Sequence, residues 1–330
     1  MSSRYFLLFF TLLVTAVSCA ETETVPILQE GYLTGAEDAD IYYRVMGSGQ
    51  DTLVVIHGGP GAGMNSILPS VRPLGKNHIL ILYDQRGGGR SELPVDTAKL
   101  KPQYFVEDLE AVRRYFGLEK MKLLAHSFGS VLAAEYARNH PTRIDYWIFH
   151  GATAPSLSQE LELRKIKAQQ AKPSPDTVLA NRASALLQKL LKGTADNPVE
   201  TCLEYEQINR KLAALKGEAV TYRGTTCDAS PQAVRYYYRY TARRAPQYYE
   251  GWDFTEQLKE VRAPLLVLYG KRDSLMLPAQ QAWASAVPNG RFVAVPEAGK
   301  AAFSDNPDFV FKAINSFLEN SSSKINGRDM

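Results

Sequence analysis

The stretch Lys122–Val131, read as Lys-Leu-Leu-Ala-His-Ser-Phe-Gly-Ser-Val, leaves this chain few ways to fold. An apolar run ends at Leu123 and Leu124, and helix-forming residues (Val131, Leu132, Ala133, Ala134, Tyr136) begin a few positions later. Between them stands Ser127, with small residues two places before it (Ala125) and two after (Gly129). A strand that breaks directly into a helix across such a Ser is the pattern of a nucleophile elbow, whose tight turn accepts only small neighbours. Ala125 replaces the more usual Gly at the first of these positions. The helix that follows would place its positive N-terminal end beneath the Ser.

Two upstream segments extend the pattern. Leu53–Gly63 (Leu-Val-Val-Ile-His-Gly-Gly-Pro-Gly-Ala-Gly) is a buried strand followed by a Gly-rich loop, whose backbone N–H groups can approach a ligand closely. No Gly-Lys-Ser/Thr follows, so it is not a phosphate loop. Ile79–Ser91 is a second buried strand running into Tyr83-Asp-Gln-Arg-Gly87. Together, His57-Gly-Gly-Pro-Gly61, Tyr83-Asp-Gln-Arg-Gly87 and the Ser127 elbow resemble the α/β-hydrolase fold, and within it the proline iminopeptidase (prolyl aminopeptidase) family. The resemblance runs from about Gly31 to Leu318 and is weak in the middle. It implies an α/β architecture: a mostly parallel central sheet flanked by helices, with an inserted helical cap.

A chain of 330 residues can bury one large core, or a core with an inserted cap. A net charge of +3, with Lys and Arg scattered, gives no basis for nucleic-acid binding. The Tyr-rich run Tyr236–Tyr240 reads as cap packing. At the N-terminus, Arg4, the apolar run Tyr5–Val17 and Ala16-Val17-Ser18 before Cys19 read as an export signal too short to span a membrane comfortably. Small residues before a Cys resemble a bacterial lipoprotein box, so Cys19 is expected to carry lipid and anchor the mature chain to an envelope membrane; a plain cleaved signal is the alternative. Cys202 and Cys227 then remain as an even pair, either bonded in an oxidising compartment or two unrelated buried thiols.

The expected organisation is a signal over 1–19, a linker over 20–29, the first part of the core over 30–153, a helical cap over 154–250, the second part of the core over 251–319 and a polar tail over 320–330. In the cap, segments 161–170, 177–191, 199–215 and 232–244 are expected helices rich in Lys, Gln and Glu. Core structure returns at Pro264–Gly270. The last helix is expected over 309–318, with Asn306 as cap and Pro307 at its first position.

Acyl transfer from a Ser needs a base for the hydroxyl proton, an acid to orient the base, and donors for the oxyanion. Ser127 is the candidate nucleophile. The backbone N–H groups of Phe128 and Gly59 are the candidate oxyanion donors. Gly270-Lys-Arg-Asp273 matches the family's Gly-x-x-Asp after a late strand, which makes Asp273 the candidate acid. The family's Gly-His pair, however, is Gly299-Lys300 here. The five histidines (His57, His78, His126, His140, His150) all precede the cap, so none fills the place by chain order. Poising a Lys near neutrality needs a shift of about three pKa units, and an ionised Asp273 beside it would oppose that. A Lys300–Asp273 ion pair and severely impaired activity are therefore expected, with a catalytically inactive binding protein as the rival reading. The resemblance further implies cap carboxylates for a substrate's free amine, with Glu200, Glu204 and Glu206 as candidates. Phe128 stands where the family usually has Trp. A Ser at the elbow disfavours dehalogenase or epoxide-hydrolase chemistry, which uses Asp there. A small peptide or ester is the expected substrate, with no cofactor and no metal.

Overall fold

The computed structural model describes residues 25–171, 173–217 and 224–326, with side chains as far as 319. The signal, Cys19 and most of the linker lie outside the described residues. Eight strands form one sheet: β1 (Ile27–Thr34), β2 (Asp40–Gly47), β3 (Asp51–Ile56), β4 (His78–Tyr83), β5 (Met121–His126), β6 (Ile144–His150), β7 (Leu265–Gly270) and β8 (Gly290–Val295). Their spatial order is β1-β2-β4-β3-β5-β6-β7-β8. β2 pairs antiparallel with β1 and β4, and every other neighbouring pair is parallel.

The near-continuous apolar runs of the parallel strands follow from burial on both faces. Alternate residues point to opposite sides. Val54, Ile56, Leu123, Ala125, Trp147, Phe149 and Val267 pack against α2 (Pro102–Tyr115), α3 (Gly129–Asn139) and α9 (Leu277–Ala286). Leu53, Val55, Leu124, Ile148, Leu266 and Leu268 pack on the other face against α1 (Leu68–Val71), α10 (Ala302–Asp305) and α11 (Pro307–Asn326). Helix α11 corrects the expected tail: it runs on to Asn326, beyond the predicted end at Leu318, with Pro307 at its first position and Asn306 accepting the Phe309 N–H. Polar composition after Leu318 thus does not mark the end of the helix.

Between β6 and β7 the chain leaves the sheet as α4 (Leu157–Gln170), α5 (Thr177–Lys192), α6 (Pro198–Leu215), α7 (Pro231–Tyr236) and α8 (Ala242–Tyr248), with a π-helical turn over Tyr237–Thr241 joining the last two. Ser156, Asp176, Asn197 and Ser230 accept backbone N–H groups of the first turns they precede. Entry and exit lie side by side: Leu157 donates its N–H to the Trp252 carbonyl, and Phe254 to that of Pro155. The cap has its own small core around Leu190, Val234, Tyr238 and a Cys202–Cys227 disulfide (Cα–Cα 5.6 Å). It clasps the sheet domain through Thr241 Oγ1 to the Gly87 carbonyl (2.6 Å) and Asn65 Nδ2 to Asp228 (2.9 Å).

Candidate active site

The loops that follow β3, β4, β5, β6, β7 and β8 leave the sheet at its carboxyl edge, where open α/β sheets place their ligand crevices. Ser127 stands at the sharpest of these turns, between β5 and α3, in the left-handed region (φ +53°). A non-Gly residue there costs on the order of 1–3 kcal/mol and persists only where its surroundings over-determine it. Here its N–H donates to the His150 carbonyl (3.2 Å), and its own carbonyl accepts from the N–H (3.0 Å) and Oγ (2.7 Å) of Ser130. Packing explains the small neighbour: a Cβ at Gly129 would lie 2.6 Å from the Ile56 carbonyl oxygen and 2.9 Å from that of His57.

The His57 loop is fixed by a polar network. Gln85 donates its backbone N–H to His57 Nε2 (3.0 Å) and its amide to the His57 carbonyl (2.8 Å), while its Oε1 accepts from the Gly61 N–H (3.1 Å). His57 Nε2 is thus an acceptor, the ring proton sits on Nδ1, and Nδ1 donates to the Gly58 carbonyl (2.8 Å). Burial lowers the His57 pKa to about 4. With both ring nitrogens engaged, His57 is a structural residue. Asp84 ties this loop to the next, accepting the N–H groups of Met64 (2.6 Å) and Arg90 (2.8 Å). Behind them Arg86 forks onto Asp108 through two bonds of 2.6 Å, both side chains wholly buried. These contacts explain the sequence Asp84-Gln-Arg86 as scaffolding for the Gly-rich loop. Among the described residues, neither the Gly59 nor the Phe128 N–H is bonded to a backbone acceptor. Phe128 itself packs edge-on against Tyr249 and Trp252.

Asp273 follows β7 and Lys300 follows β8, but the expected ion pair between them is replaced. Asp273 Oδ2 is held by Lys167 of α4 (2.7 Å) and by the Tyr269 hydroxyl (2.8 Å). Lys167 comes from the cap, so its approach is invisible in the order of the core motifs. The Lys300 backbone and side chain lie against Gly151, where an added Cβ would meet the Lys300 carbonyl oxygen at 2.7 Å and Cγ at 3.4 Å. The Lys300 side chain is exposed, with over a third of its surface open. Loss of solvent lowers its pKa; Glu160 opposes that shift, whereas Lys167 and Arg164 add to it. Glu160, also from α4, is buried, accepting the Ala154 N–H (2.8 Å) and pairing with Arg164 (2.8 Å). In the sequence it reads as one more charge on a solvated helix face.

A buried pair of histidines completes the floor. The Phe303 N–H donates to His150 Nε2 (3.1 Å), which puts the His150 proton on Nδ1, and Nδ1 donates to His126 Nδ1 (2.9 Å). His126 Nδ1 also lies 3.0 Å from the His150 carbonyl oxygen. Burial keeps both rings neutral, the His126 pKa falling to about 3 and that of His150 well below its ordinary value. His126 therefore carries its proton on Nε2 and offers no lone pair to Ser127. His78 contacts Asn315, and His140 stacks on Tyr136. The rings of His57, His126 and His150 are thus held by backbone groups and by one another.

The cap carboxylates have partners of their own. Glu204 pairs with Arg182 (2.7 Å); Glu206 pairs with Arg210 (3.2 Å) and accepts the N–H (3.0 Å) and hydroxyl (2.9 Å) of Thr226; Glu200 is exposed in the first turn of α6. The structure thus gathers the loops of Ser127, Gly59, Asp273 and Lys300 at one edge, and commits Glu204 and Glu206 to contacts within the cap.

Residues 51–307 match the profile of the alpha/beta hydrolase fold family, and the chain belongs to that family. Within it, the chain resembles proline iminopeptidases. The proline iminopeptidase of Heyndrickxia coagulans is 25% identical over 276 residues, covering 82% of this chain and 91% of the relative. That of Saccharolobus solfataricus is 25% identical over 317 residues, covering 89% and 96%. A crystal structure of a proline iminopeptidase-related protein from Thermus thermophilus superimposes with a TM-score of 0.58 at 27% identity, covering 88% of this chain and 97% of the other. The Mycobacterium smegmatis proline iminopeptidase shares the fold, with a TM-score of 0.61 at 20% identity over 90% of this chain and all (100%) of the other.

Proposed function

We propose that this chain is an exported serine hydrolase of the aminopeptidase type whose acyl-transfer machinery lacks its general base. In this reading Ser127 is the nucleophile, the N–H groups of Gly59 and Phe128 stabilise the oxyanion, and Asp273 is the orienting acid. Lys300 stands where the base belongs. The observation that carries the proposal is that the buried rings of His57, His126 and His150 are held by backbone groups and by one another, while a lysine occupies the loop after β8. An ammonium cannot accept the Ser proton. Loss of one triad member leaves roughly 10³–10⁴ over the uncatalysed rate, from binding and the oxyanion hole. The substrate class, short peptides or small esters with a free N-terminal residue, comes from the resemblance. Pro preference has no support at Phe128, and the cap acids Glu204 and Glu206 are already paired.

The test is turnover of amino-acid arylamides and small esters by the wild-type protein and by Ser127→Ala. A slow rate that Ser127→Ala abolishes supports a crippled hydrolase. Rates equal in the two proteins would remove Ser127 from the chemistry and favour the rival reading, a cleft kept for binding alone. Export is a separate part of the proposal: the mature chain begins at a lipidated Cys19 and partitions with membranes. An intact mass with an unmodified N-terminus at another residue would refute lipidation.

A further inference from the structure

The run Arg235-Tyr-Tyr-Tyr-Arg-Tyr240 divides its side chains between two surroundings. Tyr237 and Tyr238 turn into the cap's own core. Arg235 and Arg239 stand one turn apart, and so do Tyr236 and Tyr240, so each pair shares a side of the chain. Here α7 passes into the π-helical turn, and the Tyr236 and Tyr240 rings come within 5.0 Å of each other. These four side chains line a groove of about 430 Å³ on the seam between cap and sheet domain; Leu93, from the loop after β4, lines it from the sheet domain. Tyr236 spans the seam, donating its hydroxyl to the Pro94 carbonyl (2.5 Å). The volume is that of a small-ligand site, and such sites favour domain boundaries.

Charge in the groove is one-sided, because no acid lines it. Asp96, on the loop beyond Leu93, accepts the Ala98 N–H (2.8 Å). Arg235 donates from Nη2 to the Ala195 carbonyl (3.3 Å), which anchors that side chain without neutralising it. Arg239 lays its guanidinium over the Tyr240 ring, 5.2 Å from the centroid. Stacking occupies the face of a guanidinium and leaves the N–H groups on its edge for an acceptor. Among the described residues neither arginine has an acid within ion-pair distance, and both are exposed, open to a ligand arriving from solvent.

We infer that this groove binds a phosphate monoester of a single aromatic ring. The ring lies against Tyr236, Tyr240 and Leu93, and the phosphate takes the edge of the Arg239 guanidinium in the field of Arg235. Two cations and no acid favour a doubly charged head group over a carboxylate. Charge-assisted hydrogen bonds from a planar guanidinium to a phosphate are roughly twice as strong as neutral ones. An exposed ion pair alone is weak, so affinity needs the ring contact as well as the charge. Neither Ser127 nor Gly59, Asp273 or Lys300 lines the groove, so the inference stands or falls apart from the hydrolase reading.

The probes are phenyl phosphate, its singly charged counterpart phenyl sulfate, inorganic phosphate and phenol. Each is titrated calorimetrically at fixed ionic strength and about pH 8, above the second phosphate pKa of about 6. Wild type is expected to bind phenyl phosphate about 10-fold or more tightly than inorganic phosphate or phenol, with phenyl sulfate between. Arg239→Gln should weaken phenyl phosphate about 5-fold or more without moving the melting midpoint, since Arg239 is exposed. Arg239→Lys keeps the charge but not the planar fork, and should fall between the two. Phenyl phosphate binding unchanged by Arg239→Gln would overturn the inference, as would its absence in a wild-type protein that melts cooperatively. Phenol binding as tightly as phenyl phosphate would remove the arginines from the site. Inorganic phosphate binding as tightly would remove the ring contact, and either result refutes the assignment.

Discussion

Asp108→Asn tests the scaffold under the Gly-rich loops. Arg86 is wholly buried, forks onto both Asp108 oxygens at 2.6 Å and donates to the Ala36 carbonyl at 3.0 Å, while Asp108 also accepts the Ala36 N–H at 2.9 Å. Asn preserves the shape and removes the charge. One guanidinium is then buried without its counter-ion, and one Arg86 N–H meets an amide NH₂ rather than an oxygen. Breaking a buried pair from one side costs about 3–5 kcal/mol. In a domain of this size each kcal/mol lowers the melting temperature by about 2–4 °C, so a fall of about 10 °C is expected by circular dichroism. The double replacement Arg86→Met with Asp108→Leu removes both charges and should recover most of the loss, since apolar residues of similar volume often match or exceed a buried pair. A midpoint for Asp108→Asn within about 2 °C of wild type would refute the argument that this ion pair holds the loop after β4.

Other predictions concern the cap and acid. Cys202 and Cys227 close a segment with a sequence separation of 25, so replacing both by Ala should cost up to about 3.5 kcal/mol if chain entropy in the unfolded state dominates. A midpoint unmoved by dithiothreitol would contradict a bonded pair. In acid, buried His57, His126 and His150 have folded pKa values below the unfolded value, so the stability they contribute is present above about pH 6.5 and lost as pH falls toward their folded values. Asp84 acts in the opposite sense, because burial raises its pKa to about 6. Asp108 and Asp145, also raised by burial, act with Asp84, but at about pH 6.5 the unfolded histidines take up protons that the folded ones do not, so stability is expected to fall from pH 7 to pH 5. A melting midpoint that stays flat or rises from pH 7 to pH 5 would contradict this.

The sequence was legible where local chemistry and fold demand the same residues. Ala125, Ser127 and Gly129 mark the elbow because a tight turn against the Ile56 and His57 carbonyls admits no bulk there. The all-apolar runs in β3 to β7 mark strands covered on both faces. The chain family and the mostly parallel sheet followed from these. What the sequence concealed depends on contacts across the cap boundary. Lys167 takes the Asp273 carboxylate from more than a hundred residues away, so the pairing expected from neighbouring core motifs did not form. Glu160 looks like surface charge until α4 turns it inward. The locked tautomers of His150 and His126 depend on the Phe303 N–H, a backbone group that no motif records. Helix α11 outran its predicted end because polar residues such as Glu319 and Asn320 do not by themselves stop a helix.

In the proposed function, Lys300 stands where a working base belongs beside Ser127. The most direct test of this reading is the rate of arylamide or ester turnover for wild type, Lys300→His and Lys300→His with Ser127→Ala, measured across pH. Asp273 Oδ2 is held by Lys167 and Tyr269; among the described contacts none involves Oδ1, which an introduced imidazole could use. An imidazole that titrates near neutrality suits the task, and general-base catalysis typically contributes about 10²–10⁴. The account predicts that Lys300→His raises the rate by about 10² or more, with the gain lost when Ser127 becomes Ala. Wild type and Lys300→His turning over equally, both dependent on Ser127, would contradict it: Lys300 or another group would then already be serving as the base.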